Sequence, residues 1–363
     1  MALVGVGGLA ALSYTLGLGI YVVASTAPEV ASQPETPEEA DLVIARLGLE
    51  QEYPFEHRFV ETPHGRMHYV EAGEGDPILC LHGNPTWSFL YRNFLKGLSG
   101  SHRVIAPDLI GFGLSEKMSR PEDYSAAGHV EDISALVEAL DLENLTLVLQ
   151  DWGGPIGLGM AVNDPDRIRA LVVMNTIGFV PDDPDVTPLP LLALRAPIIG
   201  EQLVQGLGLF SRLVVPVSIE RDERKPPLVR RAYNEVQGSW NDRAGTRAFP
   251  DLPPRDPDDP VMQMLEREDR FLRQFRGPVL IAWGMRDPIF GPDLLDEWQR
   301  RFPQAAVLEL PGASHFPQED AYEEVVPWIR ALLRSDLRDS DAGDAGDAGE
   351  GALAVHELGM DES

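Results

Sequence analysis

Short apolar, β-branched runs alternate along the chain with amphipathic stretches of helical period, and this alternation constrains the fold more than any other feature. Candidate strands lie at 66–71, 77–81, 103–107, 145–150, 170–175, 279–283 and 306–310, with helical patterns between them at 87–98, 126–140, 155–163, 294–301 and 322–333. Such an order predicts an α/β class, a mostly parallel twisted sheet flanked by helices, because each crossover must return the chain to the same end of the sheet. The rhythm breaks after Asn175, where about a hundred residues pass without a clear strand before Val279, too many for a loop in a compact domain. That segment is expected to be a small helical subdomain over the strand C-termini, where ligands bind in open α/β folds.

Composition narrows the chemistry. Of 363 residues, 44% are apolar, enough for a large core. The 58 acidic against 30 basic residues give a formal charge of -28, which argues against a nucleic-acid partner, since phosphate binding needs a basic stripe. Cys80 is the single cysteine, so an intrachain disulfide and a cysteine zinc site are excluded. The histidines lack metal-ligand spacing and no glycine-rich phosphate loop follows a strand, so neither a metal nor an organic cofactor is expected. Asp, Glu, His and Ser must carry the reaction.

The ends differ from the middle. Residues 1–27 carry no charge and are long enough to cross a bilayer, which takes roughly 20 apolar residues. The first basic residue is Arg46, so the basic start of a secretory signal is missing. The segment reads as a membrane anchor and the protein as membrane-associated; a cleaved signal or a helix packed on the domain are the alternatives. Residues 28–52, with Pro28, Pro34 and Pro37 among glutamates, read as an acidic linker, and 335–363, with a threefold Asp-Ala-Gly repeat from Asp341, as a disordered acidic tail. Between them a core of 53–176 and 261–334 is expected to carry a helical cap at 177–260.

Three features stand at strand ends. The strand at 145–150 runs into Asp151, Trp152, Gly153 and Gly154 before a helix, the layout of a nucleophile elbow with aspartate where serine is usual. No G-x-S-x-G occurs anywhere, so an ordinary serine esterase does not fit. Asp287 follows the strand at 279–283, and His315 follows the last strand. Singly each has a bland explanation, as a helix cap, an Asp turn or an incidental histidine. Together they run nucleophile, acid, histidine in chain order, as in the α/β-hydrolase fold.

The motifs His82-Gly-Asn-Pro-Thr-Trp-Ser88, Asp108-Leu-Ile-Gly-Phe-Gly-Leu-Ser115, Gln150-Asp-Trp-Gly-Gly154, Trp283-Gly-Met-Arg-Asp287 and Gly312-Ala-Ser-His-Phe316 give the chain, over about residues 55–333, a specific resemblance to the haloalkane dehalogenases. The resemblance implies an α/β-hydrolase fold with its cap inserted after the sixth strand, Asp151 as nucleophile, His315 as base, Asp287 as its orienting acid, and Asn84 with Trp152 as the halide-stabilising and oxyanion pair. It implies a small apolar substrate. The same branch holds β-lactone decarboxylases of long-chain olefin biosynthesis, which make the alternative reading. An epoxide hydrolase would need lid phenols, and Tyr233 is the only tyrosine in the insertion. In the cap, Leu189, Leu191, Leu192, Leu194, Ile198, Leu203, Leu207, Leu209 and Phe210 line a pocket or bury the lid, and Trp240 could offer an indole to halide.

Overall fold

The computed structural model describes residues 33–182, 194–196, 198–254 and 256–342, with side chains to Arg334. Eight strands form one sheet in the order β1-β2-β4-β3-β5-β6-β7-β8. They are β1 (Glu56–Thr62), β2 (Gly65–Ala72), β3 (Pro77–Leu81), β4 (Arg103–Pro107), β5 (Leu145–Asp151), β6 (Ile168–Thr176), β7 (Val279–Gly284) and β8 (Ala306–Leu310). β1, β2 and β4 pair antiparallel in turn, and all other pairs are parallel. Seven of these strands match the periodicity. β1 does not, because its sequence EHRFVET is charged and lies half-exposed at the sheet edge.

Alternate side chains along each strand feed two cores. Cys80, Val148, Val172 and Leu280 face Phe94, Val325 and Ile329 on one side, while Leu79, Leu147, Leu171 and Ile281 face Ile133, Leu136, Leu158 and Trp298 on the other. β3, β5 and β6 are therefore buried on both faces, which is why they read as unbroken apolar runs. The cap follows β6 and is built of short helical turns, among them Gln202–Gly206, Phe210–Val214, Pro227–Glu235 and Ala244–Ala248.

The segment expected to be an extended linker contains a helix, Pro37–Leu47. Thr36 accepts the Glu39 N–H as N-cap, Pro37 opens the first turn beside Glu38 and Glu39, and Gly48 closes the helix at φ 67°. Ala40, Val43, Ile44 and Leu47 are buried against β1 and the cap helix Pro227–Glu235. At the other end the helix beginning at Tyr322 continues to Ala342, beyond the boundary expected for the tail.

The expectation of membrane association is corrected. Among the described residues no helix is long and apolar enough to cross a membrane. The longest, Tyr322–Ala342, carries Glu323, Glu324, Arg330 and Arg334 along its length, charges that a spanning segment excludes. Residues 1–27, on which the expectation rested, and residues 343–363 lie outside the described residues, as do Leu189, Leu191 and Leu192 of the cap series.

Candidate active site

β5 ends in a turn that forces its last residue outward. Asp151 has φ 49°, a left-handed conformation costly for a side-chain-bearing residue, and the register with β6 shifts between Gln150 and Asp151. The turn is possible because its neighbours are glycines. A Cβ on Gly153 would lie 2.6 Å from the Leu81 carbonyl carbon, and one on Gly154 would lie 2.7 Å from the Ile177 oxygen. Thr176 fastens the elbow by donating its hydroxyl to the Asp151 backbone oxygen at 2.5 Å.

The five residues singled out in the sequence converge here. Oδ1 of Asp151 accepts the Asn84 backbone N–H at 2.8 Å, and the Trp152 N–H also serves the carboxylate. Oδ2 stands 3.6 Å from Nε2 of His315, whose Nδ1 is 2.8 Å from Oδ2 of Asp287. A carboxylate can only accept, so that contact places a ring proton on Nδ1 and turns Nε2 toward Asp151. Burial pushes the Asp151 carboxyl above the usual carboxylate range, with His315 and the two N–H groups pulling the other way. For His315 burial disfavours the cation, yet the Asp287 carboxylate, with its hydrogen bond, and the Asp151 carboxylate together outweigh it and raise the imidazole above its ordinary value.

Sequence reasoning missed Asn175. At the end of β6 with φ 34°, its amide donates to the Asp287 oxygen that also meets His315, at 2.9 Å, and accepts the Gly284 N–H at 2.8 Å. It holds the acid at the orientation the imidazole needs. A polar residue near the end of an apolar run was the only sequence signal available.

The loop carrying Asn84 is fixed by a buried hydrogen-bond cluster around Asp108. Asp108 accepts N–H groups of Ser88 and Leu114 at 2.7 Å and pairs with His68 at 2.8 Å. His82 donates from Nδ1 to the Gly83 oxygen and accepts the Leu109 N–H; burial keeps it neutral by lowering its pKa. It shapes the loop rather than serving as a base.

Asn84, Asp151, Trp152 and His315 open together onto a cavity of about 420 Å³ walled by apolar side chains, including Phe210, Val214, Phe249, Met262 and Leu294. Trp152 meets Phe249 edge to face at 5.7 Å. Among the described residues no protein acceptor takes the Trp152 indole N–H or the Asn84 side-chain N–H, so both donors remain for a ligand. Trp240 does not line the cavity, nor does Tyr233, whose hydroxyl donates to Glu319 at 2.5 Å beside the bidentate Arg92–Glu319 pair. Among the described residues, then, the cavity presents no phenol to protonate an epoxide oxygen.

Comparison with known proteins places the chain in a family. The family described as the alpha/beta hydrolase fold matches residues 76–322. The cis-3-alkyl-4-alkyloxetan-2-one decarboxylase of Shewanella oneidensis is 36% identical over 283 residues, spanning 77% of this chain and 89% of that protein. The haloalkane dehalogenase of Mycobacterium marinum is 37% identical over 298 residues, spanning 76% and 94%. The crystal structure of haloalkane dehalogenase DatA from Agrobacterium tumefaciens C58 superposes with a TM-score of 0.70 at 30% identity, over 77% of this chain and 96% of that one.

Proposed function

The chain belongs to the α/β-hydrolase fold family, in the group that holds haloalkane dehalogenases and oxetanone decarboxylases, and from that premise we propose that it displaces halide from apolar haloalkanes through Asp151. The observation that carries this reading is the opening of Asp151, His315, Asn84 and Trp152 onto one largely apolar cavity. A carboxylate oxygen attacks the sp³ carbon in line, the carbon–halogen bond breaks, and an alkyl ester of Asp151 forms. Charge grows on the departing halide, so the free N–H donors of Asn84 and Trp152 favour the transition state over the neutral substrate. His315 then takes a proton from water as the water attacks the ester carbon, with Asp287 holding the imidazole and stabilising its cation. The backbone N–H groups of Asn84 and Trp152 receive the oxyanion of that step.

Cavity size favours a second reading. A short haloalkane would fill little of about 420 Å³, whereas a β-lactone with long alkyl arms would use its apolar length. Opening of such a ring by Asp151 would lead to loss of carbon dioxide. The test is halide release from a panel of bromo- and chloroalkanes of increasing length, with Asp151→Asn as control and a dialkyl oxetanone in parallel. Halide that disappears in the control supports displacement. Carbon dioxide and alkene with no halide would sink it in favour of the lactone reading.

A further inference from the structure

The turn after the base carries two buried acids side by side. Glu319 takes the Arg92 guanidinium and the Tyr233 hydroxyl. Asp320, with no solvent exposure, takes main-chain N–H groups from two distant parts of the chain. Its Oδ2 accepts the Ser314 and Glu220 N–H groups, each at 3.0 Å, and its Oδ1 accepts the Arg221 N–H at 3.0 Å. Burial pushes this carboxyl above its ordinary range, and the three N–H groups pull it back.

Ser314 immediately precedes His315. Its hydroxyl donates to the Arg286 oxygen at 3.2 Å, and the Arg286 N–H donates to the Ala313 oxygen at 3.0 Å, so the loop of the base is laced to the loop of Asp287. A Cβ on Gly284 would lie 2.9 Å from the Ser314 carbonyl carbon, so these loops have little slack. Glu220 and Arg221 belong to the cap, a few residues past Phe210 and Val214 of the cavity wall, and the Glu220 carboxylate also meets the Arg286 guanidinium. One carboxylate therefore ties the wall of the cavity to the main chain at its base. Asp320 does not itself line the cavity, so it can act only through what it holds.

The two halves of the reaction depend differently on where His315 stands. Displacement forms a carbon–oxygen bond to Asp151, breaks the carbon–halogen bond and moves no proton. Hydrolysis adds a water oxygen to the Asp151 carboxyl carbon while one water proton passes to His315; the bond to the alkyl oxygen then breaks, and the alcohol leaves with that proton. The second water proton stays on the new carboxyl group and departs to solvent, which restores the Asp151 carboxylate. Only the hydrolytic half needs the imidazole within hydrogen-bond reach of a water at the ester. Resting on the displacement reading above, we propose that Asp320 is a positioning residue for His315: by holding the Ser314 N–H and the cap main chain on one carboxylate, it sets where the imidazole stands against the Asp151 ester and so governs hydrolysis and not displacement.

Rapid mixing of the full chain with a 1-bromoalkane that the wild type turns over, followed by halide measurement and intact mass after quenching, separates the two steps. Asp320→Ala frees all three N–H groups. Its first halide per chain should appear within about threefold of the wild-type rate, the alkyl-enzyme mass should accumulate, and steady turnover should slow by about tenfold to a hundredfold. Asp320→Asn keeps one oxygen, enough for the two N–H groups on Oδ2, and should recover turnover to within about tenfold of wild type. Stability falls with the lost bonds and is read separately from the denaturant midpoint. Unchanged turnover in folded Asp320→Ala overturns the assignment, as does a first turnover that slows in step with the steady rate. If Asp320→Ala does not fold, Asp320→Asn decides alone: turnover within about twofold of wild type, or both steps slowed equally, overturns it. A wild type that releases no halide from any haloalkane retires the displacement reading itself, an outcome visible before any substitution is made.

Discussion

Gly83→Ala is the smallest change that should disable this site. A Cβ there would lie 2.6 Å from the Asp151 carboxyl carbon and nearer still to Oδ1. Ordinary contact is about 3.5–4 Å, so the carboxylate would have to retreat by about 1 Å. The backbone of Gly83 is outside the left-handed region, and alanine is not strained there for its own sake. The cost therefore falls on Asp151, which must leave the Asn84 N–H it accepts at 2.8 Å. A misplacement of about 1 Å can lower a rate on the order of a hundredfold, equivalent to about 2.7 kcal/mol of barrier. Overpacking by one methyl should remove about 1–3 kcal/mol of stability, a loss a domain of this size can survive. The assay is the single-turnover rate constant measured beside the denaturant midpoint, so that chemistry and folding are read separately. A rate within about threefold of wild type in a folded variant would show that the nucleophile is not where the elbow puts it.

Three further outcomes are expected. Hydrolysis needs neutral His315, so its rate should rise with pH through the raised imidazole pKa; Asp287→Asn removes the charge that raises it, moving this limb to lower pH while the plateau falls by about 10²–10⁴-fold, as a pH–rate profile would show. Tyr233→Phe removes the hydroxyl from Glu319 and should cost about 1.5–3 kcal/mol in urea unfolding with turnover nearly intact; a large loss of turnover would contradict the placement of this phenol outside the cavity. Glu268 is fully buried with neither carboxyl oxygen partnered among the described residues, and burial holds its pKa well above the ordinary value, so the folded state keeps a proton that the unfolded chain releases above about pH 4.5. Its penalty grows as pH rises, and Glu268→Met should raise the melting temperature more at pH 8 than at pH 5; equal gains at both would refute this.

What was legible in the sequence followed from strong local patterns. β3, β5 and β6 are buried on both faces and could be nothing but apolar runs; Asp151 closes one of them, and Asp287 and His315 follow β7 and β8. β1 escaped because an edge strand needs no apolar face, and its charges are what keep that edge soluble. The helix at Pro37–Leu47 escaped because proline and glutamate were weighed as linker residues, although proline at the first position and acids in the first turn are also helix-start signals. Asn175 escaped for a different reason. Its importance lies in what it touches across the sheet, and no spacing along the chain encodes a 2.9 Å contact to Asp287.

The helix Pro37–Leu47 changes what kind of object the cap is. A flap joined to its base only by its two chain connections can swing about the line between them. Here the cap helix Pro227–Glu235 also rests on Pro37–Leu47, with the Arg231 guanidinium against Gly48, while the helix itself is seated on the sheet edge at β1. The same cap helix is tied to the core by the Tyr233 hydroxyl on Glu319 and by the Trp87 indole on the Ala232 oxygen. A roof held at several separate points is braced rather than hinged, and part of that bracing lies upstream of residue 76, where the match to the hydrolase family begins.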